Sequence, residues 1–173
     1  MIDKKSLPPV LDACCGSRMF WFYRDDKRAL FIDNRTGVGI QDVGTPGTQG
    51  RRPCVIDPDM VVDFTQMPFP DEAFYHVVFD PPHCEKKLGK TSQLAFKYGI
   101  LGSDWREMLR RGFIECFRVL KPGGTLVFKW CDVEMPLREV LALTQEKPMY
   151  GHRSGKAART HWIVFFKCLT DRL

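Results

Sequence analysis

Asp80-Pro81-Pro82-His83 follows directly on the apolar run Phe74-Tyr75-His76-Val77-Val78-Phe79. A buried strand ending in an acid and two prolines sets a carboxylate on a stiff turn at a carboxyl edge, where open α/β sheets bind ligands. Neither proline has an N–H, so the carbonyls of Asp80 and Pro81 stay free to accept, and the fixed φ angles hold them still. Such a turn receives a planar NH2 group. Three further acids end apolar runs: Asp12 after Pro9-Val10-Leu11, Asp33 after Ala29-Leu30-Phe31-Ile32, and Asp63 after Met60-Val61-Val62. Asp12 opens a bend of small residues, Ala13-Cys14-Cys15-Gly16-Ser17, which lets a ligand approach the backbone closely. Asp33, followed by Asn34, is placed to accept both ribose hydroxyls of an adenosine, and Asp63 to accept an adenine amino group. Each acid taken alone also reads as an ordinary turn or helix cap. Four on successive strand ends are a pattern.

These acids need strands to carry them. The runs above predict four strands, one from Pro9 opening at Asp12 into the small-residue turn, and others over Ala29 to Asp33, Met60 to Phe64 and Phe74 to Phe79. The aromatic stretch Met19 to Tyr23 reads as one or two helical turns. Gly37 to Pro53, with five glycines, reads as an irregular β-hairpin standing where a helix is expected. From Trp105 to Leu120 apolar residues recur at helical spacing, with Asp104 and Glu107 spaced as a capping box. Lys121-Pro122-Gly123-Gly124 ends that helix, Thr125 to Trp130 gives a fifth strand, Pro136 starts a short helix, and Trp162 to Phe166 gives a last strand. Alternating strands and helices predict an α/β fold with a doubly wound, mostly parallel sheet.

The chain's 173 residues suit one domain over 1–173, since a domain near that size buries roughly 70% of its unfolded surface. No run of about 18 apolar residues occurs and the first residues lack a signal core, which predicts a soluble, cytoplasmic protein with no membrane partner. Seven scattered cysteines without metal-ligand spacing predict reduced thiols and no metal. The formal charge is +5, but Lys86, Lys87, Lys90 and Lys97, with Lys147, Arg153, Lys156 and Arg159, carry +8 in two acid-free stretches that read as loops, 86–97 and 147–161, leaving −3 for the rest. Solvated loops would look the same, but such clustering is also the footprint of phosphate-backbone contact.

Together, Asp12-x-x-Cys15-Gly16-Ser17, Asp33, Asp63-Phe64 with Pro68-Phe69-Pro70-Asp71, Asp80-Pro81-Pro82-His83 and Leu120-Lys121-Pro122-Gly123-Gly124 resemble the successive motifs of class I S-adenosylmethionine-dependent methyltransferases, from Leu7 to Lys167. The resemblance implies a Rossmann-like seven-stranded sheet with an antiparallel last strand. It also implies an S-adenosylmethionine site made by Asp12, Cys14, Cys15, Gly16, Ser17, Asp33, Asn34, Asp63, Phe64 and Asp80. More narrowly, the Asp-Pro-Pro turn resembles that of amino-methyltransferases acting on adenine or cytosine in nucleic acids, and the chain resembles small methyltransferases of phage and prophage genomes. It departs from that pattern at Cys14-Cys15, where most relatives carry a glycine, and at His83, where Tyr, Phe or Trp is usual.

The expected chemistry is positioning. Asp80 and the Pro81 carbonyl hold the protons of an exocyclic amine, Pro82 stiffens the turn, and His83 forms a wall against a flipped or single-stranded base. Lys86, Lys87 and Lys90 would then form one side of a DNA or RNA site, and His152, Arg153 and Lys156 the other. Two alternatives fit the same residues: a methyltransferase for a small metabolite or protein side-chain amide, and a non-catalytic nucleic-acid-binding module.

Overall fold

A computed structural model describes residues 2–43, 50–84, 93–154 and 159–169. In chain order the elements are β1 (Val10–Asp12), β2 (Ala29–Asp33), β3 (Gly37–Val43), β4 (Gly50–Ile56), β5 (Met60–Val61), β6 (Phe74–Phe79), α1 (Gln93–Tyr98), α2 (Trp105–Val119), β7 (Leu120–Cys131), α3 (Leu137–Leu141), β8 (Tyr150–Ser154) and β9 (Thr160–Phe166). Seven strands form one sheet in the order β5-β2-β1-β6-β7-β9-β8. The pairs among β5, β2, β1, β6 and β7 are parallel, and β9 runs antiparallel to both its neighbours. The Gly37 to Pro53 expectation is met by β3 and β4, which pair as a separate antiparallel hairpin from Gly37↔Ile56 to Val43↔Gly50.

Strand β6 lies between β1 and β7 and carries the longest apolar run of the four acid-tipped strands. Its Phe79 is fully buried and meets Phe64, Phe113 and Phe128 at centroid distances of 5.3, 5.4 and 5.7 Å. Helix α2 lays Trp105, Leu109, Phe113, Cys116 and Phe117 against this face of the sheet, and Val140 of α3 joins the same core. Burying each large side chain stabilises by about 1.5–3 kcal/mol. Gly112 makes the close approach of α2 possible. A Cβ there would lie 2.7 Å from Phe79 Cζ and 2.8 Å from Phe64 Cδ2. Gly112→Ala is therefore expected to cost about 1–3 kcal/mol by overpacking, less the gain of up to about 1 kcal/mol in helix propensity. A lower midpoint in urea unfolding at unchanged slope is the expected result. An equal or higher midpoint would show that the two rings yield.

Five local expectations are corrected. Met19 to Tyr23 forms turns and bends, with Arg18 in the left-handed region at φ 53°, because Trp21 is drawn to the buried Asp12. The Met60 strand is only two residues long, since it pairs at the sheet edge with β2 alone and the chain turns at Asp63. Asp104 makes no side-chain cap, and Glu107 is held by Arg110 at 2.6 and 2.8 Å, so the capping box does not form. Strand β7 starts at Leu120, with Lys121 to Gly124 inside it. Tyr150 to Ser154, read as loop, is the edge strand β8, paired from Tyr150↔Val164 to Ser154↔Thr160. Among the described residues no helix is long and apolar enough to cross a membrane.

Candidate active site

Register places the acids. Asp12 pairs with Phe31 on one side and Val78 on the other, so Asp33 and Asp80 each stand two residues further along their strands. At about 3.3 Å per residue, both reach beyond Asp12 at the carboxyl edge. Asp12 is fully buried; it accepts Trp21 Nε1–H at 2.7 Å and Cys14 N–H at 3.2 Å. Burial pushes its pKa up to about 7, against those two hydrogen bonds, and the neighbouring Asp80 and Asp33 push the same way. Its geometry makes it the anchor of the Cys14 to Ser17 bend.

Asp33 closes the next layer. Gly16 N–H donates to its Oδ2 at 2.9 Å, and Arg35 grips both oxygens, Nε to Oδ1 at 2.9 Å and Nη2 to Oδ2 at 3.0 Å. Arg35 Nη1 also donates to the Phe96 carbonyl of α1 at 2.7 Å, tying the helix over the strand ends. Gly16 has φ +49°, and a Cβ on it would meet nothing nearer than 3.9 Å, so backbone borders open space here. Burial pushes the thiols of Cys14 and Cys15 upward, the latter to about 12, which keeps both protonated.

A cavity of about 210 Å³ opens between these layers, bounded by Ala13, Cys14, Asp33, Asn34, Phe64 and Asp80 and roofed by Tyr98 and Gly99. A smaller one of about 40 Å³ shares Cys14, Arg35, Asp80 and Tyr98 with it and adds Cys15, Gly16, Ser17, Phe20, Pro81, His83 and Lys97. Of the residues read as a donor site, only Asp12 and Asp63 line neither cavity. Asp63 is exposed and its Oδ1 accepts Thr65 N–H at 2.8 Å, the turn-cap alternative.

Asp80 holds a partner that stands outside the motifs. Lys129 Nζ donates to its Oδ2 at 2.6 Å, each side chain about a fifth exposed. Register explains the pair: Phe79 lies opposite Phe128, so the next residues on these parallel strands meet. A lone lysine between Phe128 and Trp130 in an apolar strand was the available signal, because a cation there must find an acid. Burial pushes the Asp80 pKa up, and Lys129 and then His83 draw it back. His83 is half-buried between Tyr98, at 5.6 Å centroid to centroid, and Trp130, at 6.3 Å. Burial lowers its pKa, so the ring is neutral near pH 7 and offers both an N–H and a lone pair. The turn is pinned from outside: Leu101 N–H donates to the Cys84 carbonyl at 2.8 Å, and Pro82 packs on Gly99.

His152 and Arg153 lie exposed on β8, three strands from β6, and line neither cavity. Lys86, Lys87, Lys90 and Lys156 lie outside the described residues. Among the described residues no group of three or more His, Cys, Asp or Glu could hold a metal ion.

No protein-family model and no curated protein sequence matches the chain. Solved structures do. The PH0226 protein from Pyrococcus horikoshii OT3 is 14% identical over 94% of this chain and 83% of its own, with a TM-score of 0.58. The 1,6-didemethyltoxoflavin-N1-methyltransferase from Burkholderia thailandensis, whose structure holds 1,6-didemethyltoxoflavin and S-adenosylhomocysteine, is 13% identical over 95% of this chain and 73% of its own, with a TM-score of 0.51. At such identities the likeness lies in the architecture: this chain has the Rossmann-like fold of those two proteins, a seven-stranded and mostly parallel sheet with β9 inserted antiparallel.

Proposed function

We propose that this chain is an S-adenosylmethionine-dependent methyltransferase acting on an exocyclic amine of a nucleic-acid base, adenine or cytosine. The observation that carries the reading is the Asp80-Pro81-Pro82-His83 turn, set at the rim of a cavity whose floor is the Asp33-anchored bend from Cys14 to Ser17. The residues suit the donor. Small side chains at Ala13, Cys14 and Gly16 leave the backbone approachable, Phe64 offers a ring to adenine, and Asp33 offers oxygens for a ribose diol in exchange for Arg35. The Burkholderia enzyme, with the same fold, binds the demethylated form of this donor.

When bound, S-adenosylmethionine supplies an electrophilic methyl group on a sulfonium. The chain's work is placement and charge. Asp80 accepts one amine proton through Oδ1, because Lys129 occupies Oδ2, and the Pro81 carbonyl accepts the other; the nitrogen lone pair then faces the donor. As methyl transfer leaves positive charge on nitrogen, the carboxylate stabilises it. His83 and Tyr98 wall the base pocket. A base must leave its duplex stack to reach this recess, or come from a single strand.

The test is a mass-spectrometric nucleoside digest of total DNA and RNA from cells expressing the wild type or Asp80→Ala. A methylated adenosine or cytidine species present only with the wild type is the expected result. Unchanged nucleosides beside methyl transfer by the purified protein to a metabolite or protein fraction would move the acceptor away from nucleic acid.

A further inference from the structure

The sheet is covered unevenly. Helices α2 and α3 both pack on one face, through Phe113, Phe117 and Val140. On the opposite face Trp21 and Arg18 cover β2, Trp21 at 4.8 Å from the Phe31 ring and Arg18 at 3.9 Å over it. Beyond them, no helix of the described residues lies on that face of β7, β9 and β8, although mostly parallel sheets are normally covered on both sides. Strand alternation shows what this leaves open. Leu126, Phe128 and Trp130 point into the core, so Val127 and Lys129 point out; Ile163 and Phe165 point in, so Trp162 and Val164 point out, and these four outward side chains are half-buried. Cross-strand pairing adds His152 beside Trp162 and Tyr150 beside Val164, and Tyr150 is 64% exposed.

This strip runs into the active site without a break. Phe20 borders the smaller cavity and meets Trp162 edge-on at 5.5 Å. Lys129, bonded to Asp80, lies 5.6 Å from the Phe20 ring and 5.7 Å from that of Trp162. From β6 to β8 the path crosses three strand spacings, about 14 Å. Outward residues on β7, β9 and β8 include no carboxylate; the outward cation Lys129 is bonded to Asp80, and positive charge stands at the β8 edge, where Lys147 and Arg153 are exposed and Lys147 to His161 contains no acid. Aromatic rings in a row beside positive charge are what a single strand uses, since every base has a face to stack and every linkage a phosphate.

We propose that this open face, from Phe20 through Trp162 to His152 and Tyr150, is a track for single-stranded nucleic acid flanking the target base. The proposal rests on the nucleic-acid reading above and adds where the strand lies. The experiment is fluorescence anisotropy with a fluorescein-labelled oligo(dT) of about a dozen nucleotides, at low and moderate salt, on wild type, Trp162→Ala and His152→Glu. Trp162→Ala is expected to weaken binding by about tenfold or more through lost stacking. His152→Glu sits on an exposed edge and keeps the core intact, so it serves where Trp162→Ala fails to fold; its expected effect is a several-fold loss, larger at low salt. Both variants should keep wild-type affinity for S-adenosylhomocysteine. Wild-type oligonucleotide affinity in both variants would overturn the track, and with methylated nucleosides still found in the digest it would leave the activity standing. A wild-type protein that binds no oligonucleotide and yields no methylated nucleoside would remove both.

Discussion

Asp80→Ala is expected to lower the rate of methyl transfer by roughly 10²- to 10³-fold, the usual cost of removing one preorganised partner of a developing charge. In the proposed reaction the substitution takes away an oxygen that would orient the amine and the negative charge that would stabilise the ammonium-like product. It also leaves Lys129 in a half-buried site with no carboxylate. Asp80→Asn removes the charge and leaves one amide oxygen for two donors, Lys129 Nζ and the amine, so its rate should fall close to that of alanine. Initial rates with radiolabelled donor provide the check. An alanine variant within threefold of wild type would show that the turn does not hold the acceptor.

The second large effect belongs to Lys129. Burial raises the Asp80 pKa and the ammonium at 2.6 Å lowers it, so Lys129→Met should raise it further. In the proposed reaction the ionised form is the working form, so activity is expected above the Asp80 pKa and lost as pH falls through it. Raising that pKa moves the loss to higher pH. Lys129→Met should therefore be slow near neutrality, by about tenfold for each unit that the pKa stands above the assay pH, and recover as the pH rises. Lys129→Arg, which keeps a cation, should restore most of the neutral rate. A purely structural lysine would give a lower rate with an unshifted pH profile, and that outcome would contradict this role.

The legible parts of the fold are those that carry their own reason in the local sequence. Phe74 to Phe79 is legible at both ends because an apolar run stops at an acid and two prolines, and α2 to within a residue because its apolar spacing holds from Trp105 onward. Elements decided by distant partners were not legible. Met19 to Tyr23 has the composition of an amphipathic turn of helix, yet the buried Asp12 pulls Trp21 inward and leaves Phe22 wholly exposed. Tyr150 to Ser154 has glycine and polar residues throughout and becomes a strand only because β9 offers it an edge. The site divides the same way. Its acids stand at strand ends where simple alternation puts them, but Arg35 on Asp33 and Lys129 on Asp80 are pairings that register creates.

The most direct measurement is isothermal titration calorimetry of the full chain with S-adenosylhomocysteine, repeated on Asp33→Ala. A one-to-one isotherm with a micromolar Kd, weakened tenfold or more by Asp33→Ala, is the result this account predicts, since the carboxylate would otherwise hold the ribose diol. No heat of binding to the wild type at millimolar ligand, or equal affinity in the two proteins, would contradict it.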